Sequence, residues 1–153
     1  MATEFKWKAP GETIQTYLST ELDSLANSTS DTTGFSPLGV ELPNETDLYY
    51  FINLTLELAA QGAARSAGAS VEIWISYALD GADYGDASNA AFVTGLLCTF
   101  QLDAATTARQ LPPIVNIALA PLDSKLYVRN RTGQAFAASG NTLKYRRHNA
   151  QGV

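Results

Sequence analysis

A long alternation of apolar and polar residues, from Asp47 to Ala59, constrains this chain more than any other feature of its sequence. Successive side chains of a β-strand point to opposite faces, so residues two positions apart share a face. In this segment, DLYYFINLTLELA, the apolar members of one face are Leu48, Tyr50, Ile52, Leu54, Leu56 and Leu58. Helical spacing would scatter these residues around a helix, so the pattern predicts a strand with one buried face. Such a strand needs a second layer of structure to cover it.

A second alternation, from Val71 to Leu79, repeats this pattern and places Trp74 on the face opposite its apolar residues. The two alternating segments are separated by Ala60–Gly68, which is rich in small residues and contains two glycines. Such a segment favours a flexible surface turn over a helix. We therefore predict that the two long strands pair as a hairpin, in which Glu57 and Glu72 face each other.

Further short strands are predicted along the chain, each bounded by residues that are typical of turns. They span residues 92–102, 114–119, 125–130, 134–138 and 142–148. Short antiparallel strands with frequent turn signals indicate an all-β fold, a two-sheet antiparallel sandwich of Greek-key or jelly-roll type. One short N-terminal helix is predicted within Thr13–Asn27, because its apolar residues recur at intervals of three and four.

Two parts of unequal size are predicted. Residues 1–10 alternate Phe5 and Trp7 with lysines and end at Pro10, which indicates a short extended N-terminal arm. Residues 11–153 are expected to form a single β-sandwich domain, since a chain of 153 residues can bury enough surface for one core. Cys98 is the sole cysteine, so no internal disulfide is possible, and its apolar neighbours favour a buried, unreactive thiol.

The chain is acidic, with a net charge of -5 at neutral pH. Nucleic acid is not expected as a partner, because phosphate binding requires a dense basic face. No apolar run is long enough to cross a membrane and the N-terminus lacks the core of a signal peptide, so we expect a soluble protein made in the cytoplasm. The basic residues gather near the C-terminus, on a strand face that either meets an acidic partner or a second copy, or is simply solvated.

No catalytic constellation is recognisable in the sequence, so we expect no enzyme activity. The single histidine, His148, lies near the C-terminus beside two arginines, where we expect an exposed tail and neither a catalytic triad nor a zinc site. The turn from Asp80 to Ala90 carries three aspartates but lacks the glutamate of an EF-hand loop, so it predicts a hydrated turn and no metal. No cofactor is expected, and a binding or structural role is favoured.

Three segments carry a resemblance to a known family. They are ELDSLAN at Glu21–Asn27, SYALDGADYGD at Ser76–Asp86 and the long C-terminal run from Leu111 to Gln151, which contains NRTGQAFAASGNTL. In this order they resemble a family of small virion proteins encoded by tailed bacteriophages. The resemblance implies a virion structural protein of the capsid decoration (cement) type. The implied partners are the major capsid protein and further copies of the chain, with a trimer favoured because symmetric sites favour symmetric ligands.

Two sets of contact residues follow from these expectations. For a decoration protein, the aromatic arm and the basic strands would meet the capsid through Phe5, Trp7, Arg129, Arg131, Lys144, Arg146 and Arg147. The alternative is a tail or fibre component that binds carbohydrate or a receptor, since jelly-roll sandwiches also host lectin-like sites. In that case the aromatic binding platform would consist of Trp74, Tyr49 and Tyr84.

Overall fold

The computed structural model describes residues 5–7, 12–29, 35–37, 39–78, 80, 84 and 95–152, and the regular elements within these ranges are β-strands and one short 3-10 turn, without an α-helix. The strands within these ranges are β1 (Phe5–Trp7), β2 (Gln15–Leu18), β3 (Phe51–Leu58), β4 (Ser70–Ala78), β5 (Gly95–Gln101), β6 (Arg109–Gln110), β7 (Ile114–Ala118), β8 (Asp123–Arg131), β9 (Thr142–His148) and β10 (Ala150–Gly152). The all-β prediction is confirmed.

Two antiparallel sheets form the sandwich. In sheet I the order is β2, β9, β3, with β6 and β7 both pairing with the far edge of β3. In sheet II the order is β5, β4, β8, and the segment between Phe35 and Leu42 continues this sheet through bridges to Arg129 and Ser124 of β8. When β6 and β7 are counted as one segment, the sandwich has eight segments, which we number in chain order. Sheet I then runs one, eight, three, six, and sheet II, read from the side of residues 35–42, runs two, seven, four, five. This is the order of a jelly roll, one of the two types predicted.

The core lies between the inner faces of the two sheets. Along β3 the burial alternates strictly, and the inward residues Ile52, Leu54, Leu56 and Leu58 are at most 2% exposed. Facing residues of sheet II are equally buried: Val71, Ile73, Leu126 and Val128. Burial of each such side chain contributes about 1.5–3 kcal/mol, so these two strips supply much of the stabilising energy.

The first two members of the predicted apolar face lie outside the core. Leu48 and Tyr50 are 49% and 60% exposed, and β3 begins only at Phe51. The side chain of Asn44 donates to the carbonyl oxygen of Tyr49 and accepts from its N–H, which closes a turn over these residues. Leu48 adopts a left-handed backbone within this turn, with φ of 50°. Because of these local hydrogen bonds of Asn44, the strand begins only at Phe51, after the alternation in the sequence has already begun.

The predicted hairpin of the two long strands is wrong, because β3 and β4 lie in different sheets. β3 pairs with β9 along its length, and β4 pairs with β5 and β8. Glu57 and Glu72 consequently do not face each other. An alternating pattern identifies which face of a strand is buried but not which strand is its neighbour, and here both apolar faces are buried against each other across the sandwich.

The predicted N-terminal helix is also wrong. Its place is taken by β2 and by a single 3-10 turn at Thr20–Leu22, and Ile14 is 64% exposed. A tertiary hydrogen-bond pair explains the difference: the Tyr17 hydroxyl accepts from the N–H of Leu126 at 2.8 Å and donates to the carbonyl of Val40 at 2.6 Å. A Cβ atom at Gly39 would lie 2.3 Å from that hydroxyl, so glycine allows the close approach. Burial of Tyr17 and Leu18 in a strand overrides the helical spacing.

A buried polar network closes one end of the sandwich by joining residues 22–28 to the loop between β8 and β9. Asn130 is fully buried, and its amide donates to the carbonyls of Leu25 and Gln134 at 2.8 and 2.7 Å. Asn141 donates to the carboxylate of Asp23 at 3.0 Å. The weak strand predicted at 134–138 is therefore absent, because this stretch is a loop held by hydrogen bonds to the N-terminal segment.

A cluster of ion pairs lies at the same end of the sandwich as this polar network. The Arg65 side chain is fully buried and donates to the Asp103 carboxylate at 3.0 Å, and Arg109 pairs with the same carboxylate. Hydrogen bonds from Arg109 and from Arg65 lower the pKa of Asp103 to about 2. The cluster ties the loop after β3 to the loop after β5.

Acid is expected to remove the stabilisation supplied by this cluster. The pKa of Asp103 is lower in the folded than in the unfolded chain, so its contribution is present above about pH 4 and is lost as the pH falls towards 2. We expect Asp103→Asn to lower the melting temperature at pH 7 and to melt like the parent near pH 2. Thermal unfolding of both proteins across this range checks the prediction. A difference that stays constant with pH would contradict it.

Within the predicted N-terminal arm, the described residues Phe5–Trp7 are extended and form β1. β1 pairs antiparallel with β10 of the same chain, with Phe5 opposite Gly152 and Trp7 opposite Ala150. β1 and β10 therefore form a separate two-stranded sheet.

Candidate interaction surface

Two of the predicted contact arginines are buried within the domain. Arg147 is 4% exposed, and its guanidinium pairs with the carboxylate of Glu12 on both oxygens and with Asp47 at 3.3 Å. The same group lies over the rings of Tyr49 and Tyr145. Because it faces the inside of the sandwich, Arg147 is a structural residue and cannot contact a partner.

Arg129 is likewise 4% exposed. It pairs with Glu72 at 3.4 Å, donates to the Ser28 hydroxyl at 3.0 Å and lies over the Phe35 ring. Burial of a charge is costly unless it is paired and hydrogen-bonded, and Arg129 meets both conditions inside the fold. Burial removes it from the predicted contact set.

Two further predicted cations are neutralised at the surface. Arg131 shares Glu72 with Arg129, also at 3.4 Å. Lys144 contacts both carboxylate oxygens of Glu57 at 2.8 Å, and this hydrogen bond, with that from the Thr142 hydroxyl, lowers the pKa of Glu57. The expected basic strand is therefore a set of internal ion pairs and not a positively charged face.

Arg146 differs from these residues. It lies on the outward face of β9, opposite Asn53 of β3, and is partly exposed. Among the described residues no carboxylate pairs with its guanidinium. It is therefore the predicted contact residue whose charge the fold leaves available.

A shallow groove of about 260 Å³ surrounds Arg146 on the outer face of sheet I. Its floor is polar, with Asn53 and Thr55 of β3 beside Lys144 and Arg146 of β9. Its sides are apolar and exposed, since Ile14 is 64% and Val115 53% accessible. Leu54, Gln110, Pro113 and Tyr145 complete this lining.

This outer-face groove, defined by Ile14, Asn53, Thr55, Gln110, Pro113, Val115, Lys144 and Arg146, can bind an extended segment that carries a carboxylate. The carboxylate would pair with the Arg146 guanidinium, which favours planar bidentate partners, and apolar neighbours would cover Ile14 and Val115. The sequence identified only the two basic members. The others come from separate segments of the chain, and no local pattern indicates that the fold brings them together.

The predicted aromatic platform is not formed, because its members have separate environments. Tyr49 stacks on the buried Arg147 at 4.6 Å. Trp74 is half-buried, contacts Phe35 edge to face at 6.1 Å and donates to Glu72 at 3.0 Å. Tyr84 is 7% exposed, with Lys125 4.1 Å from its ring centre. Two of the three rings, Tyr49 and Tyr84, each contact a cation of the same chain, so these three residues do not form one common stacking surface.

His148 is buried, so the expectation of an exposed tail is wrong. It is 7% exposed, its Nε2 lies 3.1 Å from Asn116 Oδ1, and its ring stacks on Phe51 at 5.4 Å. Burial and the neighbouring charge of Arg146 lower its pKa. His148 is not part of a tail, because it is the last residue of β9 and is followed by another strand, β10.

Two other predictions concern reactive groups. Cys98 is partly buried and not fully buried as predicted, and this burial raises the pKa of its thiol to about 12, which disfavours the reactive thiolate. Within the described ranges no group of three or more histidine, cysteine, aspartate or glutamate side chains is placed to hold a metal ion. Most of the turn from Asp80 to Ala90 lies outside those ranges.

The chain is a two-sheet antiparallel β-sandwich. No family model matches it, and no curated protein matches it either. Among solved structures, a chain from the structure of deformed wing virus, a honeybee pathogen, aligns with 9% sequence identity and a TM-score of 0.26. The alignment covers 98% of this chain and 47% of the viral one, so this chain spans about half of that length. A similarity this low says nothing about function.

No helix in the described part of the chain is long and apolar enough to span a membrane.

Proposed function

We propose that this protein is a non-enzymatic structural protein of a tailed-bacteriophage virion, and specifically a decoration protein that binds the outside of the capsid. The observation that carries the proposal is the contact between two of the segments that resemble phage virion proteins. These segments are about a hundred residues apart, yet they form one buried network at the end of the sandwich.

Five hydrogen bonds between described residues make this contact. Asn130 donates to Leu25, Asn141 to Asp23, the N–H of Gly133 to Asn27, the N–H of Ser24 to Ala137, and the N–H of Phe136 to Leu25. A resemblance produced by chance would have no reason to select residues that are partners in space. This agreement supports a shared fold, and jelly rolls are frequent in viral capsid proteins, which is an argument by analogy.

The outer-face groove is the surface we assign to the capsid partner. It is shallow and open, as expected for binding an extended protein segment, and it presents one guanidinium, that of Arg146, which no carboxylate of the described residues pairs with. The major capsid protein would supply the carboxylate and the apolar residues. Because many copies bind one shell, even a modest affinity per copy stabilises the assembled particle by mass action.

Particles that lack the protein provide the direct test. Purified protein is added, the particles are pelleted, and the position of the added density is imaged. Density that repeats over the shell is the expected result. Density confined to the tail would contradict decoration and favour the tail or fibre alternative, whereas absence of binding would contradict both.

Charge reversal in the groove is expected to weaken binding to the shell. We expect Arg146→Glu to lower the affinity for particles about tenfold or more. The substitution removes the cation that would pair with a carboxylate of the capsid and puts a negative charge in its place, which that carboxylate repels. Arg131→Glu is the matched control, since it makes the same charge change at an exposed residue of sheet II and should bind like the parent. Pelleting with increasing protein concentration measures both. Loss of binding in the control alone would move the contact to sheet II.

A further inference from the structure

One sheet edge differs from the others in the described part of the chain. β5, with the sequence GLLCTFQ, is the edge strand of sheet II and contains no charged residue and no proline. It pairs with β4 on one side, and none of the described residues hydrogen-bonds to the backbone on its other side. Leu96 is 52% exposed at this edge.

The remaining edges of the sandwich are protected in ways that natural sheets commonly use. β2 has four residues and a register shift between Thr16 and Leu18. β6 and β7 are short, with prolines between them and a left-handed residue, Asn116, inside β7. The segment beyond β8 forms only isolated bridges and contains Pro37.

β5 has one irregularity, which limits the part of its edge that can pair. Its register with β4 shifts opposite Ile73 and Trp74, so Leu97 is an extra residue. Such a bulge increases the local twist. The stretch from Cys98 to Gln101 is regular and leaves a row of main-chain groups available for another strand.

We infer that the open edge of β5 binds the same edge of a second copy, antiparallel and about a two-fold axis. An unpaired strand edge selects an extended strand as its partner, because only that satisfies successive N–H and C=O groups. Among the described edges β5 alone is long and unprotected, so its counterpart in another copy is β5 itself. The strand is uncharged, so two copies meet there without like-charge repulsion although each chain carries -5. The contact uses the regular stretch from Cys98 to Gln101, has Leu96 at its end just beyond the bulge, and joins the two sheets II into one.

Sedimentation of the purified full-length chain over a range of protein concentrations tests this inference without any capsid. We expect a reversible dimer, and we expect Leu96→Lys to weaken it at least about tenfold, since lysine is a residue that blocks edge pairing. The matched control is Leu48→Lys, which places the same charge on a leucine of similar exposure, 49%, at a turn. The control is expected to dimerise like the parent. Thermal unfolding establishes that both variants remain folded.

Three results would overturn the inference. A chain that stays monomeric at every concentration has no self-pairing edge, and a trimer in solution requires a contact other than a two-fold one. A dimer that both lysine variants weaken equally does not use β5. A further outcome is a monomeric chain in which Leu96→Lys, but not Leu48→Lys, fails to bind particles. The edge of β5 would then bind a strand of the capsid and not a second copy. The proposed function survives each of these results, because it is tested through Arg146.

Discussion

Replacing Arg147 with alanine is expected to lower the free energy of unfolding by roughly 3–5 kcal/mol. The substitution leaves Glu12, whose side chain is 17% exposed, without its cation, and it removes the donor to the carbonyl of Pro43. It also removes the cation that lies over Tyr49 and Tyr145. For a domain of this size the melting temperature should fall by roughly 10 °C, which calorimetry or circular dichroism measures.

The neighbouring residue supplies the control for this prediction. Arg146→Ala removes the same side chain from the next position of β9, where it points outward and has no carboxylate partner among the described residues. We expect its stability to stay within about 0.5 kcal/mol of the parent, as for most surface substitutions. Equal losses in the two variants would show that the alternation of inward and outward residues along β9 is wrong.

Replacing Asn130 with aspartate is expected to cost roughly 3–5 kcal/mol at neutral pH. The two side chains have nearly the same shape, so packing is preserved and only the donor is lost. The amide nitrogen donates to the carbonyls of Leu25 and Gln134, and a carboxylate would place a buried negative charge against both oxygens. The amide oxygen accepts from Thr132, and aspartate keeps this bond. Denaturant unfolding measures the difference.

Acid provides an internal check on the Asn130→Asp variant. Below about pH 4 an aspartate is protonated and can donate one hydrogen bond, so the loss relative to the parent should shrink. Asn27→Asp is the control, because Asn27 is only partly buried, its side-chain oxygen accepts from Gly133, and its amide nitrogen donates to one part-buried carbonyl, that of Ser28. We expect it to cost less than about 1 kcal/mol. A loss in Asn130→Asp that does not change with pH would mean that buried charge is not its cause.

These variants separate the residues that hold the fold from those that we propose bind a partner. Arg147 and Asn130 should affect stability, whereas Arg146 should affect binding to particles and leave stability unchanged. The distinction matters for the C-terminal basic residues, which are indistinguishable by sequence. Sequence spacing placed Arg146 and Arg147 in one contact set, but adjacent positions of a strand point to opposite faces, and the sandwich buries one of them.

Local pattern alone determined the all-β class, most of the strands and the identity of the central core. The alternation along β3 predicted the buried residues from Ile52 to Leu58, because side-chain direction in a strand depends only on position parity. Turn residues predicted where many strands end for an equally local reason.

The tertiary structure decided what local pattern cannot encode. The pairing of β3 with β9, the strand that replaces the N-terminal helix and the burial of His148 all depend on partners that are distant in the chain. The outer-face groove is of the same kind, since Val115 lies on β7, Arg146 lies on β9, and Ile14 immediately precedes β2. Hydrogen bonds between distant segments, such as those of Tyr17, outweigh propensities worth well under 1 kcal/mol per residue.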